Sequence, residues 1–209
     1  MIIDANVDIT SDLPALVAAG LKTFIGYLDP LGQASKVVTP ARARAIGNAK
    51  VRLGLVSEGW GDFAHGGISA GAGQRDAENA LTALPLLGAP EGACVYFAVD
   101  TDASQAQVQK IVLPYFQSIE SVFAGSKYRW GVYGSGLVCS SISTPMTWLS
   151  CSMGWTNSKD YLASGKWVLR QHVPSVVAGV PCDVDDQNPA GADIGDFVPF
   201  YEPPLPADV

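Results

Sequence analysis

Cys94-Val95-Tyr96-Phe97-Ala98-Val99-Asp100-Thr101-Asp102 is the stretch from which the fold of this chain can be predicted. Its first part is uncharged, mostly apolar and rich in β-branched and aromatic residues, which predicts a strand buried on both faces in a helix-covered parallel sheet. Because strand side chains alternate, we expect the two carboxylates that follow to project to the same side. The carboxyl ends of parallel strands carry the active sites of α/β folds, so this pair marks a candidate site. The alternative is that Asp102 only caps the helix that starts near Ser104.

Strand-like and helix-like segments alternate along most of the chain. Eight strands with interleaved helices predict a closed α/β barrel, a single (β/α)8 barrel of the TIM type, in which some later helices are short or missing. We predict one domain over residues 1–198 and a Pro-rich tail over 199–209 that lies extended along the surface. The predicted strands are 2–7, 22–28, 51–56, 94–99, 128–133, 146–150, 166–173 and 181–185, and the main predicted helices are 11–20, 39–46, 74–87 and 104–123.

Composition limits the partners of the protein. The chain has 209 residues with 48% hydrophobic content and a net charge of -7, and its pI is near 4.6. An acidic surface repels nucleic acids and anionic membranes, so we expect neither partner, and a neutral or cationic substrate is easier to accommodate. The chain has no apolar run of 18 residues and no basic, apolar leader at its start, which predicts a soluble protein without membrane insertion or a signal peptide. The oligomeric state is left open.

The cysteines and other common motifs do not indicate a cofactor. The four cysteines are widely spaced and only His65 and His172 could assist them, so we predict neither a metal site nor any other cofactor. Buried free thiols are favoured, with a disulfide as the alternative. The Gly-rich segment 62–73 lacks the lysine of a phosphate-binding loop, the segment 183–194 lacks the Gly and Glu of a calcium loop, and no serine lies in a GxSxG elbow.

The predicted strand ends are rich in acidic and aromatic residues. A barrel brings such ends together in one cup, which suits a sugar, because glycoside hydrolysis uses two carboxylates and sugars stack on aromatic rings. We predict that Asp102 donates the proton and that Asp100 is its charged partner, since nearby like charges hold a proton on a carboxyl. The predicted catalytic residues are Asp4, Glu58, Asp100 and Asp102, and the predicted substrate-binding residues are Trp60, Tyr133, Trp155, Gln171, Asp183 and Asp185. Asp29 is a further acid at a predicted strand end.

At these positions the sequence resembles a known group of proteins. The matching features are Ile3-Asp4, the stretch from Ala19-Gly20 to Tyr27-Leu28, Tyr96 to Asp102, Gly131-Val132-Tyr133-Gly134, and Gln171 with Asp183-Val184-Asp185. They resemble the glycoside-hydrolase-like domain once called domain-of-unknown-function family 1906, a relative of the family 25 lysozyme barrels. The resemblance implies a barrel that acts on peptidoglycan or another cell-surface glycan. In the lysozymes the pattern is Asp-x-Glu, with the Glu as general acid, whereas this chain has the shorter Asp102.

Two classes of function follow from these observations. The first is a glycosidase acting on the bacterial cell wall, delivered without a signal peptide as a phage or secretion-system lysin. The second is a catalytically silent barrel that binds glycan or serves as a structural module of a larger assembly such as a phage particle.

Overall fold

Strand β4 (Cys94–Ala98) is buried along its whole length and pairs with a parallel strand on each side in a closed sheet. A computed structural model describes residues 1–28, 37–59, 61–63 and 66–200. Within these residues, seven parallel strands follow each other around the barrel in chain order. They are β1 (Ile2–Asp4), β2 (Thr23–Tyr27), β3 (Arg52–Ser57), β4, β5 (Arg129–Gly134), β6 (Thr147–Leu149) and β7 (Leu169–Gln171).

The last barrel strand closes the sheet in an unexpected direction. Strand β9 (Val180–Gln187) pairs antiparallel with both β7 and β1, so the barrel is closed by eight strands, as predicted. The direction reverses because β8 (Ser175–Val177) and β9 form a hairpin after β7. A parallel eighth strand would need a long crossover connection instead. The prediction of a TIM-type barrel is confirmed, and the regular β/α alternation ends after β7.

Helices cover the outside of the parallel strands. They are α1 (Leu13–Ala18), α2 (Pro40–Asn48), α3 (Ala70–Leu86), α4 (Gln105–Gln107), α5 (Leu113–Phe123), α6 (Gly136–Ser141) and α7 (Ser158–Ser164), with a π-helical segment, Val108–Val112, between α4 and α5. The predicted cap Thr39 accepts a hydrogen bond from the Arg42 backbone N–H at 3.3 Å. Helix α3 begins earlier than predicted because Ser69 caps it, accepting from the Ala72 N–H at 3.2 Å. None of the helices in the described ranges is long and apolar enough to span a membrane.

The barrel interior is apolar below its mouth and is closed at the opposite end. Tyr96, Trp148 and Ile194 belong to one buried apolar cluster inside the sheet, and the Tyr96 hydroxyl donates to the Ile194 carbonyl at 3.1 Å. The backbone of Phe197 bridges to β3, and that of Phe200 donates to Gly88 at 3.1 Å. The chain therefore contacts this end of the barrel up to the first two residues of the predicted tail, and residues 201–209 lie outside the described ranges. The four cysteines are free thiols in the structure; three of them are buried, as predicted for each, and Cys151 is partly exposed.

Candidate active site

A cavity of about 260 Å³ opens at the carboxyl ends of the parallel strands. Because β9 is antiparallel, it contributes a residue from its first half, and Asp183 is the register partner of Asp4, the last residue of β1. Five of the predicted site residues line this cavity: Glu58, Asp100, Tyr133, Gln171 and Asp183. The sequence therefore identified the mouth and much of its wall.

Glu58 and Asp100 lie against the same loop. A methyl group placed on Gly61 would meet the Asp100 Cβ at 3.1 Å and the Glu58 Cγ at 3.5 Å. The Asp100 backbone N–H also donates to the Gly61 carbonyl at 2.8 Å. Gly61 has φ of +62°, a left-handed conformation that glycine adopts easily. The tight loop thus holds the carboxylates that follow β3 and β4 at one edge of the cavity.

Gln171 connects three polar side chains on the wall and floor of the cavity. Its Nε2 donates to Asp4 Oδ2 and to Asp183 Oδ2, both at 3.1 Å. Its Oε1 accepts from the Tyr133 hydroxyl at 2.8 Å. An amide nitrogen has two protons, and each one is used here on a carboxylate. Gln171 therefore fixes the distance between Asp4 and Asp183, and Tyr133 fixes the amide.

Burial changes the acidity of these carboxyls. Asp4 is 2% exposed, and burial, helped by the charge of Asp183, raises its pKa from 3.8 to about 7 against the hydrogen bonds from Gln171 and Tyr27. Burial and the charge of Asp100 also raise the pKa of Asp183. Desolvation and a like charge both favour the protonated form of a carboxylic acid. The mouth can therefore hold protons on some carboxyls while others are charged.

Two aspartates predicted to act in the site lie beneath it. Neither Asp4 nor Asp185 is among the described residues lining the cavity, and Asp185 is 4% exposed. The Trp148 Nε1 donates to Asp185 Oδ1 at 2.8 Å. Direct substrate contact by Asp185 does not fit this burial, because β9 carries it deeper than Asp183.

Asp102 does not share the cavity with Asp100. It is exposed, is absent from the described lining, and its Oδ1 accepts from the Thr156 backbone N–H at 2.8 Å. The expected projection to one side does not occur, since β4 ends at Ala98 and the side-chain alternation of a strand ends with it. The carboxylate of Asp102 instead holds the loop after β6. That loop carries Trp155, which is partly buried and outside the described lining.

Several lining residues were not predicted. Tyr27 ends β2 and its hydroxyl donates to Asp4 Oδ1 at 3.3 Å, and Trp148 packs edge-to-face on Tyr133 with centroids 4.9 Å apart. Both lie in predicted strands, so counting inward-facing positions would have found them. The remaining unpredicted lining residues are Asn6, Val56, Ala98, Cys151 and Ser152. The predicted residues Trp60 and Asp29 lie outside the described ranges.

The barrel and its acidic mouth define a glycoside-hydrolase-like domain. The chain belongs to the Rv2525c-like, glycoside hydrolase-like domain family, whose model matches residues 14–185. The uncharacterized protein YbfG of Bacillus subtilis (strain 168) is 35% identical over 111 residues, which are 47% of this chain and 15% of YbfG. The uncharacterized protein FadG of the same strain is 29% identical over 146 residues, 67% of this chain and 25% of FadG. The chain thus spans a quarter or less of these curated relatives.

Solved structures share the fold. The crystal structure of the Tat-secreted protein Rv2525c of Mycobacterium tuberculosis in complex with HEPES superposes with a TM-score of 0.70 at 20% identity, covering 93% of this chain and 97% of that one. The modular autolysin LytC of Streptococcus pneumoniae, in complex with a synthetic peptidoglycan ligand, has a TM-score of 0.54 at 13% identity, covering 88% of this chain and 45% of LytC. At these identities the likeness concerns the fold.

Proposed function

We propose that the mouth of the barrel binds a bacterial cell-wall glycan and hydrolyses it by acid/base catalysis. The observation that carries the proposal is the cavity of about 260 Å³ lined by three carboxylates: Glu58 follows β3, Asp100 follows β4, and Asp183 lies in β9. Glycoside hydrolysis needs a carboxylic acid that protonates the leaving oxygen and a carboxylate that acts as nucleophile or base. A cavity with several carboxyls in unlike surroundings meets that requirement.

In this proposal Asp183 is the proton donor. It lines the cavity, and burial together with the charge of Asp100 raises its pKa, so it holds its proton more readily than an exposed carboxyl. Asp100 is exposed and is proposed to be the charged partner. Glu58, adjacent to Asp100 across Gly61, is proposed to support it. This assignment replaces Asp102 as the proposed proton donor, because the Asp102 carboxylate accepts a hydrogen bond from Thr156 in the loop after β6.

Aromatic side chains supply the binding surface. Tyr27 and Tyr133 line the cavity, and sugar rings present C–H faces that pack on aromatic rings. Trp148 is buried and supports Tyr133 by an edge-to-face contact. We propose that Trp155 extends this surface along the loop after β6 and that Trp60 is a further glycan-binding residue. The acidic cavity suits a neutral or cationic glycan, since an anionic one would be repelled.

Known proteins agree with a cell-wall target. LytC, which shares the fold, is an autolysin whose structure holds a synthetic peptidoglycan ligand. A cell-wall target requires export or delivery with a phage particle, and the structural neighbour Rv2525c is described as Tat-secreted. Because the chain covers a quarter or less of YbfG and FadG, we propose that such a domain supplies the glycan-directed step in a longer protein.

The position of Asp102 favours a second candidate. The lysozyme-like pattern places a longer acid where this chain has Asp102, and this shorter side chain lies outside the described lining and binds Thr156. A barrel that has lost its proton donor would bind glycan without cleaving it. Both candidate functions predict that the protein binds glycan, and only the first predicts that it cleaves glycan.

Zymography on peptidoglycan and release of reducing ends from soluble glycan fragments test the proposal. We expect Asp183→Asn to reduce turnover by about 10²-fold or more while binding is retained, because the variant keeps an acceptor for Gln171 and loses the transferable proton. Glu120→Gln is the matched control, since it removes an exposed carboxylate of α5. Binding without turnover in the wild type would support the silent module, and turnover unaffected in Asp183→Asn would refute the assignment.

A further inference from the structure

We propose that Asp185 is a positioning residue that shares one proton with Asp4 and thereby keeps Gln171 and Asp183 in their places. The inference rests on the proposed function only for the consequence that it has on catalysis. The shared proton is a property of the folded protein and can be tested without substrate.

The contacts of Asp185 leave one of its oxygens without a donor. Asp185 Oδ1 accepts from Trp148 Nε1 at 2.8 Å, and Trp148 is held in turn by edge-to-face contacts with Tyr96 and Tyr133. Asp185 Oδ2 is fully buried and has no hydrogen-bond donor among the described residues. An ionised carboxylate oxygen in that position would lose the free energy of its hydration without compensation.

A second carboxyl lies within hydrogen-bonding reach. Asp4 and Asp185 are both almost fully buried and lie close enough for their carboxyl groups to interact, but two ionised carboxylates cannot hydrogen-bond to each other because both would be acceptors. The donors that reach the pair, from Trp148, Tyr27 and Gln171, are all uncharged. One proton on Asp185 Oδ2, donated to Asp4, resolves the contradiction and provides a partner for the buried oxygen.

The charged and titratable groups around the pair favour the same arrangement. Burial, followed by the charge of Asp4, raises the pKa of Asp185 well above its ordinary value, and the hydrogen bond between the two raises the pKa of Asp185 and lowers that of Asp4. We assign the proton to Asp185 because its Oδ2 is the buried oxygen without a donor, whereas both oxygens of Asp4 already accept hydrogen bonds. The other titratable groups that interact with the pair are two phenols, a thiol and an acid: Tyr27, Tyr133, Cys182 and Asp183.

The proton on Asp185 affects the cavity through the side chain of Gln171. With the proton on Asp185, Asp4 can be an anion without a second charge beside it, and its Oδ2 accepts one N–H of Gln171. The other N–H of that nitrogen is then directed to Asp183. Asp185 acts on the proposed acid through Asp4 and Gln171, and it has no need to touch the glycan.

Infrared difference spectroscopy on the full chain tests the shared proton. At about pH 8, above the pKa of Asp4, we expect the wild type to retain the C=O stretch of one protonated carboxylic acid and Asp185→Asn to lose it. Asp186→Asn is the matched control, because Asp186 is the next residue of β9 but half exposed and paired with His172 at 2.6 Å. Absence of the band in the wild type, or its retention in Asp185→Asn, would overturn the proposal.

Activity tests the positioning role. The Asn variant offers Nδ2 to Asp4 and Oδ1 to Trp148, so we expect it to fold and to keep turnover within about threefold of wild type, whereas Asp185→Ala should lose on the order of tenfold or more. In Asp185→Ala the ¹³C titration of the Asp183 carboxyl should also shift, which a general loss of stability would not produce. Equal turnover in the Ala variant, or an unshifted titration of Asp183, would refute positioning. A wild type that shows the band and cleaves no glycan would refute the proposed function alone.

Discussion

The burial of Asp4 predicts that the protein becomes less stable as the pH rises toward neutrality. Its pKa is about 7 in the folded state against an ordinary value of 3.8. A carboxyl whose folded pKa is raised stabilises the folded state fully below the unfolded pKa and loses this contribution as the pH rises to the folded pKa. A difference of roughly three pKa units corresponds to about 4 kcal/mol in all, at 1.36 kcal/mol per unit.

Much of this change in the free energy of unfolding falls in a pH range that is accessible to experiment. Between about pH 5 and pH 7, Asp4 alone should lower the free energy of unfolding by about 2 kcal/mol. Asp183 and Asp185 also have raised pKa values, so they act in the same direction. Urea unfolding at several pH values would measure the slope of the free energy of unfolding against pH. The slope should decrease in Asp4→Asn and be unchanged in Glu120→Gln. A stability that rises over this range, or an Asp4→Asn slope equal to that of the wild type, would refute the reasoning.

Three further predictions concern two residues near the site and the packing of α3 on α5. Asp102→Asn should change turnover by less than about threefold, because its carboxylate contacts Thr156, and a loss of about 10²-fold would return the proton donor to Asp102. Trp155→Ala should weaken glycan binding by about 1 kcal/mol in calorimetry with an unchanged melting temperature, and unchanged affinity would remove this ring from the binding surface. Gly73→Ala should lower the free energy of unfolding by about 1–3 kcal/mol, because the new Cβ would lie 2.3 Å from the Tyr115 carbonyl oxygen, whereas Gly71→Ala, with open space at its Cβ, is the matched control.

Sequence reasoning succeeded where a single local rule determines the structure. The buried run of β4 and its neighbours are apolar because both faces of these strands are covered, so their positions could be predicted from hydrophobicity alone. The positions of Glu58 and Asp100 at the mouth followed from the rule that the ends of parallel strands meet. Those features depend on periods of a few residues that are visible in the sequence.

The hairpin and the direction of Asp102 could not be predicted in the same way. The turn between β8 and β9 uses Ala178 at φ +51° and Gly179 at φ +88°, a conformation usually signalled by Asn-Gly or Asp-Gly. With Ala in the first position the signal was missing, and β8 was not predicted. Asp102 is directed by the backbone N–H of Thr156, 54 residues further along the chain, and no local pattern reports such a contact.

The direction of β9 determines which of its aspartates can act on a glycan. Asp183 and Asp185 lie on the same face of the strand, two residues or about 7 Å apart. In an antiparallel strand the earlier residue is nearer the mouth, so Asp183 lines the cavity and Asp185 lies below it beside Trp148. A parallel eighth strand would place Asp185 at the mouth and Asp183 beneath. The hairpin that sequence reasoning missed is therefore the feature that separates the proposed acid from the residue proposed to hold a proton under it.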